Sequence, residues 1–446
     1  MQHREYEDHS QVFKRAQIAV KARTNPKVKF NNLLHHLTPE LIKDCLLTIP
    51  LNSAIGVDKL TVKEVRGNLD WLLPPILKQI HEGGYIPPPV RRVYIPKADG
   101  RKRPLGIPTV LDRAIQAGMT KILNEIYEQD FLKCSYGFRP ELGCHNALMA
   151  VGNQIYRNKT LNCLEVDIRD FFGSLSHGWL MKFLEHRISD KRVLKLIKSW
   201  LTAGVLESEV KTIPDKGTPQ GGVISPLLAN IYLHYVLDLW WEKKIKPGLN
   251  GKAELVRYCD DFVILFQDRE DLIKVECLLK ARLEQFTLEI ADEKTHTTDL
   301  RNGKDDKSKL RRRHITFLGF SIYRALNQNK TGYKVVFQTE KKRLSKAKKE
   351  LREKIRKGMH LDLETQVKRI NSTLRGHYNY YGLPGNSYKL GSFYNHARKS
   401  WKYWLSNRSQ NGYLNWKKAE AIFAKYPLVF PILKIKYSDI GRYLIL

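Results

Sequence analysis

Three aspartates stand where carboxylates are expensive. Asp260 and Asp261 lie side by side between Arg257–Tyr258 and the apolar run FVILF, and Asp167 closes a second apolar run, LEVD. Carboxylates flanked by strand-forming residues are costly to bury unless a cation returns the charge. A hard divalent cation such as Mg²⁺ takes oxygen ligands of this kind and keeps waters or phosphate oxygens in its other positions. If the two runs are neighbouring strands, Asp167 meets the Asp260–Asp261 turn. The three then form a cradle for two metal ions about 3.5–4 Å apart, the arrangement used for in-line phosphoryl transfer. Two adjacent aspartates are also a common surface turn, so the pair gains its weight from the ordered motifs around it.

The elements that must hold these carboxylates can be read from periodicity. LNCLEVDIRDFF is a short apolar strand ending in an aspartate, and ELVRYCDDFVILF is a pair of apolar runs folded about two acidic residues. VRRVYIPKADGRKRPLGIP alternates around a DG turn and predicts a hairpin, Val90 to Pro96 out and back to Ile107. ITFLGFSIY is a further strand containing a glycine. Helical spacing marks LTPELIKDCLL with Thr38 as N-cap before Pro39, then Leu111 to Tyr127, 180–203, 224–241 and 270–286. Strands mixed with helices in this way predict an α+β sheet domain. From Arg301 to Lys357 basic residues far outnumber acidic ones, with Lys341 to Arg356 as a strongly basic helix. Beyond it the chain is rich in Tyr, Trp and Arg and reads as helical.

Length and charge bound the function. A chain of 446 residues fits two or three domains. Lys and Arg number 77 against 46 Asp and Glu, a net charge of +31, which attracts polyanions, nucleic acid above all. The six cysteines form no CxxC pair and no His cluster has zinc spacing, which argues against a zinc module and fits a reducing compartment. No apolar stretch reaches the length of a membrane span. The expectation is a soluble cytoplasmic protein, bacterial in origin, with no membrane partner.

The ordered blocks GVDKLT (56–61), PKADGRKRPLGIPTVLDRAIQ (96–116), SYGFRPELGCHNAL (135–148), EVDIRDFFGSLSH (165–177), GTPQGGVISPLLANIYL (217–233), RYCDDFVILF (257–266), EKT (293–295) and FLGFSI (317–322) resemble the sequence series of reverse transcriptases. The version is that of group II intron-encoded proteins. LRGHYNYYGLPGN (374–386) and SWKYWLSNRS (400–409) resemble their thumb, or maturase, region. The resemblance implies a right-hand polymerase: an arm over 1–32, fingers and palm over 33–325, a helical thumb/maturase region over 326–410, and a short nucleic-acid-binding extension over 411–446.

It also implies roles. Asp167, Asp260 and Asp261 correspond to the catalytic, metal-binding palm aspartates, with two Mg²⁺ ions (Mn²⁺ able to substitute) and dNTP substrates. Phe172 resembles the aromatic gate that leaves no room for a ribose 2′-hydroxyl, and one of Phe171 and Phe172 is expected in the core. Backbone N–H groups at Arg169 and Asp170 are expected to face the triphosphate. Lys97 and Arg103, on the two arms of the hairpin, resemble its phosphate clamp. Gln220 resembles the glutamine beside the nucleotide sugar, and Lys294 the lysine proposed to protonate pyrophosphate. Leu318 and Gly319 resemble the primer grip. Arg139, Arg311, Arg312, Arg313, Lys341, Lys342, Arg343, Arg375 and Tyr378 are expected on nucleic acid, with Trp401 and Trp404 able to pack as ordinary core.

The chain departs from the family pattern at Cys259, where most relatives carry Ala. No endonuclease-like His/Asn/Cys-rich segment follows the thumb, so second-strand cleavage is not expected. The leading expectation is an RNA-directed DNA polymerase that also helps intron RNA splice and move. Its partners would be intron RNA and a DNA primer or target, and a homodimer is allowed. The alternative is a group II-like enzyme domesticated for host defence or DNA repair. A splicing factor without polymerase activity should have lost the aspartates, and Phe172 argues against an RNA-dependent RNA polymerase.

Overall fold

A computed structural model describes residues 9–96, 102–207, 210–212, 216–217, 221–301, 314–409 and 412–439. Its centre is a four-stranded antiparallel sheet ordered 253–258, 261–266, 162–166, 296–299. The unbroken run FVILF follows from burial on both faces of this sheet. Phe262, Ile264 and Phe266 point into one core with Leu164 and Val166, while Val263 and Leu265 point into a second with Cys163 and Val256. Strand alternation therefore divides one apolar run between two cores.

The first core is closed by helices. Val110–Asp130 carries Ile115, Met119, Ile122 and Ile126 fully buried, and its N-cap Thr109 accepts from the Asp112 N–H. Ser225–Leu233 runs on through two wider turns, His234–Asp238 and Trp241–Ile245. Arg269–Gln285 is capped by Asp268, whose carboxylate accepts from the N–H groups of Glu270 and Asp271. The first segment, read as an arm, contains the helix His9–Thr24, which sinks Ile18 and Ala22 into the same core. Thr38 caps Pro39–Thr48 as expected. The region 180–203 divides into His177–Glu185 and Lys191–Leu201.

The predicted hairpin forms, Val90–Pro96 against Lys102–Ile107, joined by the short strands Val205–Glu207 and Val210–Thr212. Gly56 of the GVD block lies where a Cβ would come 2.6 Å from Thr109 Cα. Arg91 and Arg113 donate to the carbonyls of Ile55 and Ala54, fastening that block beneath the hairpin.

ITFLGFSIY is not one strand. It is a tight hairpin, Ile315–Phe317 and Phe320–Leu326, turning at Leu318 and Gly319, both with positive φ (49° and 78°). Tyr333–Thr339 pairs with its second strand. A boundary at 325 therefore cuts through this sheet, and the helical region begins at Lys341. YKVVFQT abuts the basic helix that follows, which masks its strand character in the sequence. The basic helix Lys341–Lys357 buries Leu344, Leu351 and Ile355, one stripe at spacings of seven and four. With Leu363–Tyr381, Ser387–Ser406 and Trp416–Lys425 it encloses a third core around Trp401, Phe393 and Leu374. No described helix is long and apolar enough to cross a membrane.

Candidate active site

Register brings the carboxylates together. Val166 pairs with Phe262, so the next step along the antiparallel ladder sets Asp167 opposite Asp261. Tyr258 pairs with Asp261 across a two-residue loop, Cys259–Asp260, and Cys259 sits in the left-handed region at φ 59°. All three aspartates thus meet at one end of the sheet. Enclosure, followed by the like charges of Asp260 and Asp167, pushes the Asp261 carboxyl up to about 7. Its side chain is nevertheless open to solvent, so the neighbouring charges matter more here than enclosure.

Among the described residues no group of three or more His, Cys, Asp or Glu side chains is arranged to hold a metal ion, so the three aspartates share one end of the sheet without forming a ready-made metal site. An open, oxygen-only set still suits Mg²⁺, which binds through one or two carboxylates and completes its shell with water and substrate phosphates. A fourth carboxylate nearby, Glu165, is already engaged by the Thr298 hydroxyl (2.8 Å) and the Thr316 N–H (2.7 Å). Lys294 reaches Asp167 rather than open space, Nζ to Oδ1 at 2.9 Å.

Beside Asp167 the chain turns sharply. Asp170 takes φ 39° and starts the short helix Phe171–Ser174. Phe171 is core, while Phe172 is half-buried, its ring edge-to-face with Phe171 at 5.3 Å. The Arg169 N–H is not available to a phosphate, because it donates to the Glu289 carbonyl, and its guanidinium pairs with Glu289 and Glu293. For Arg169 that expectation fails, because residues 168–169 bridge to the segment 289–291.

The GTPQGG loop is anchored at its two described ends. The Gly217 N–H donates to Leu175 O, and a Cβ on Gly217 would lie 2.9 Å from the Phe172 carbonyl. A Cβ on Gly221 would lie 2.5 Å from Gly106 O on the hairpin. The loop therefore runs from the Phe172 segment to the hairpin, and only glycine permits either approach. Gln220, Lys97 and Arg311 to Arg313 lie outside the described residues, as does the side chain of Arg103, whose backbone pairs with Ile95 on the return strand.

Two supports were not read from the sequence. Arg257 and Asp238 are wholly buried and paired, Nε to Oδ1 at 2.8 Å. Burial alone would lower the guanidinium pKa, but the Asp238 carboxylate outweighs it and raises it. The same guanidinium donates to Asn230 Oδ1 (2.9 Å), Ser135 Oγ (2.8 Å) and the carbonyl of Cys259 (3.0 Å). Asn230 in turn donates to Gly137 O, and a Cβ on Gly137 would lie 2.6 Å from Cys259 N. Further off, Asp112 accepts from Tyr85, Trp200 and Gln116, and Gln116 Oε1 accepts from Val223 N–H, just past the GG pair. A charge inside an apolar strand was the signal for Arg257.

Two nucleic-acid expectations are corrected. Tyr378 is 2% exposed, packed in the third core. Arg139 is nearly buried, pairing with Glu128 and donating to Leu132 O and Ser135 O. Lys341, Lys342, Arg343 and Arg375 are exposed. Trp401 is core, its indole N–H donating to Gln366 Oε1.

Residues 95–322 match the family model of reverse transcriptase (RNA-dependent DNA polymerase). Protein YkfC of Escherichia coli is 34% identical over 295 residues, 58% of this chain and 77% of that protein. The group II intron-encoded protein LtrA of Lactococcus lactis is 42% identical over 169 residues, 37% of this chain and 28% of its own length. Nuclear intron maturase 4 of Arabidopsis thaliana is 26% identical over 208 residues, 46% of this chain and 25% of that protein. The carboxylate-bearing sheet falls within the matched region, and the chain belongs to the group II intron-encoded branch of the reverse transcriptase family.

Proposed function

We propose that the protein copies RNA into DNA by two-metal nucleotidyl transfer and that it also binds a structured intron RNA as a maturase. The observation carrying the polymerase reading is the strand register that sets Asp167 against Asp261 beside the half-buried Phe172. Asp167, Asp260 and Asp261 would hold Mg²⁺, which supplies activation of a 3′-hydroxyl and charge stabilisation on the transferred phosphate. Phe172 would form the sugar floor, Lys294, paired with Asp167, would offer a proton donor, and the hairpin, against which Gly221 of the GTPQGG loop packs at Gly106, would carry the phosphate clamp. Lys97, Arg103 and Gln220 are proposed nucleotide contacts, and Leu318–Gly319 the grip on the primer end.

The test is primer extension on an RNA template with Mg²⁺, comparing dNTPs and rNTPs. DNA product from the wild type is expected, and RNA product would overturn the gate at Phe172. Replacing the ring by Phe172→Val should cut discrimination against rNTPs by about 10–100-fold, the span available to a small steric change in a pocket. Unchanged discrimination would place the gate elsewhere.

The maturase reading rests on a surface formed by the end of the thumb region and the extension that follows it. Exposed Tyr403, Tyr413 and Trp416 line an open cavity of about 720 Å³ with Lys399 and Lys402, whose Nζ lies 5.6 Å and 5.3 Å from the rings of Tyr413 and Trp416. Rings for stacking beside cations for phosphate suit single-stranded RNA. Tyr413→Ala with Trp416→Ala should weaken binding of intron RNA by about 1–3 kcal/mol for each base stacked there, measured by filter binding at fixed salt. Extension on a short template should be spared.

A further inference from the structure

Leu318 is held from two directions, and the two hands belong to different parts of the molecule. Its backbone is in the left-handed region at φ 49°, a conformation a leucine keeps only where surroundings over-determine it. The Leu318 backbone N–H faces the Asp261 carboxylate closely enough to work against the rise in its pKa. The Leu318 carbonyl accepts from the Tyr380 hydroxyl at 2.9 Å. Tyr380 lies in the last turn of Leu363–Tyr381, a helix of the thumb.

Tyr380 is itself fixed. Its ring stacks on Phe320 at 5.8 Å and 25°, in the strand leaving the Leu318–Gly319 turn. Its backbone carbonyl accepts from His145 Nε2 at 2.8 Å. Tyr381 Oη comes within 3.2 Å of where a Cβ on Gly319 would stand, so the thumb presses on both residues of the turn.

We propose that Tyr380 is a positioning residue that ties the placement of the thumb to the catalytic carboxylate Asp261 through the single residue Leu318. The phenol does not reach the reacting atoms. It fixes one carbonyl, that carbonyl's residue turns its N–H toward Asp261, and a shift of the thumb helix is passed to the carboxylate end of the sheet. A thumb seated on primer–template thereby sets the carboxylate, and a thumb that has lost its duplex releases it.

The test is Tyr380→Phe in the full chain, which keeps the ring on Phe320 and removes only the hydroxyl. Three measurements are made: RNA-templated extension with varied dNTP, affinity for primer–template, and amide hydrogen exchange across 315–326 with and without bound primer–template. The expected result is a kcat lower by about five- to tenfold, the worth of one hydrogen bond. KM for dNTP, duplex affinity and melting temperature should stay within twofold or a degree of wild type. Exchange at 318–320 should rise, and its slowing by bound duplex should be lost, while exchange in 261–266 stays slow.

Unchanged exchange and unchanged kcat would overturn the proposal. So would a fall in affinity and melting temperature parallel to the fall in rate, which marks a merely structural tyrosine. His145→Ala, which loosens Tyr380 without touching its hydroxyl, should give the same pattern more weakly, and a wild-type profile in that variant also counts against the coupling. The proposal rests on the polymerase reading. Absence of extension by wild type sinks that reading, whereas normal extension with an indifferent Tyr380→Phe sinks only this one.

Discussion

Asp260→Ala is expected to abolish RNA-templated DNA synthesis, with a loss of about a thousandfold or more, while leaving a folded protein that binds RNA as before. Removing one preorganised group that meets developing charge costs about 10²–10³ in rate, and a carboxylate that holds the metal supporting that charge should cost at least as much. Its neighbours make the sign of the stability effect clear as well. Asp260 is one of the like charges that, after enclosure, raise the Asp261 carboxyl to about 7 from 3.8. A raised carboxylate pKa means that the folded state holds its proton more firmly, so stability from Asp261 is greatest at acid pH and is lost as pH climbs through about 7. With Asp260 gone that loss should shrink. The metal-free variant should melt at or above the wild-type temperature at pH 8 and differ little at pH 4. A variant that melts well below wild type at pH 8 would show that Asp260 is a structural residue.

Arg257 should give the largest effect on stability. Arg257→Ala strands Asp238 in the interior and leaves Asn230, Ser135 and the Cys259 carbonyl without their common donor. Breaking a buried pair from one side costs about 3–5 kcal/mol, a large share of what a domain has to spare. Urea denaturation should show a much lower midpoint with unchanged slope. Arg257→Lys keeps the charge but offers one point donor where a planar fork now serves four partners, so it should fall between wild type and Ala. Polymerase activity should drop further in the Lys variant than its stability predicts, because the Cys259 carbonyl belongs to the turn that carries Asp260. Equal stability of Ala and wild type would show that the ion pair is idle.

These two sites also mark what was legible in the sequence. Asp167 and Asp260–Asp261 could be found because each closes or interrupts an apolar run, and such runs predict strands whatever the tertiary context. The hairpin 90–107 and the basic helix at 341 were legible for the same reason, periodicity over many residues. Register was not: that Val166 faces Phe262 is fixed by the packing of two cores, which no local pattern encodes. Single-residue burial was harder still. Tyr378 and Arg139 look like nucleic-acid contacts by type, yet one fills a helical core and the other staples a loop. Arg257 shows the converse, a charge within a strand whose partner lies nineteen residues earlier, on a helix that spacing alone does not link to it. The seven-residue strand 333–339 is hard to see because it runs directly into the basic helix at 341, whose charge dominates that stretch.

The order of strands in the central sheet carries a consequence for how the molecule is made. Asp167 leaves the ribosome on a strand whose partners on either side, 261–266 and 296–299, are both still to be synthesised. Pairings this distant along the chain close late, since the entropy of the intervening loop must be met before any contact rewards it. A nascent chain that stops short of residue 266 has no assembled carboxylates, and one that stops short of 299 still leaves an unpaired edge on the strand that carries Asp167. Catalytic competence is therefore acquired as a late step of synthesis, and termination before that point yields a chain disposed to aggregate rather than a partial enzyme.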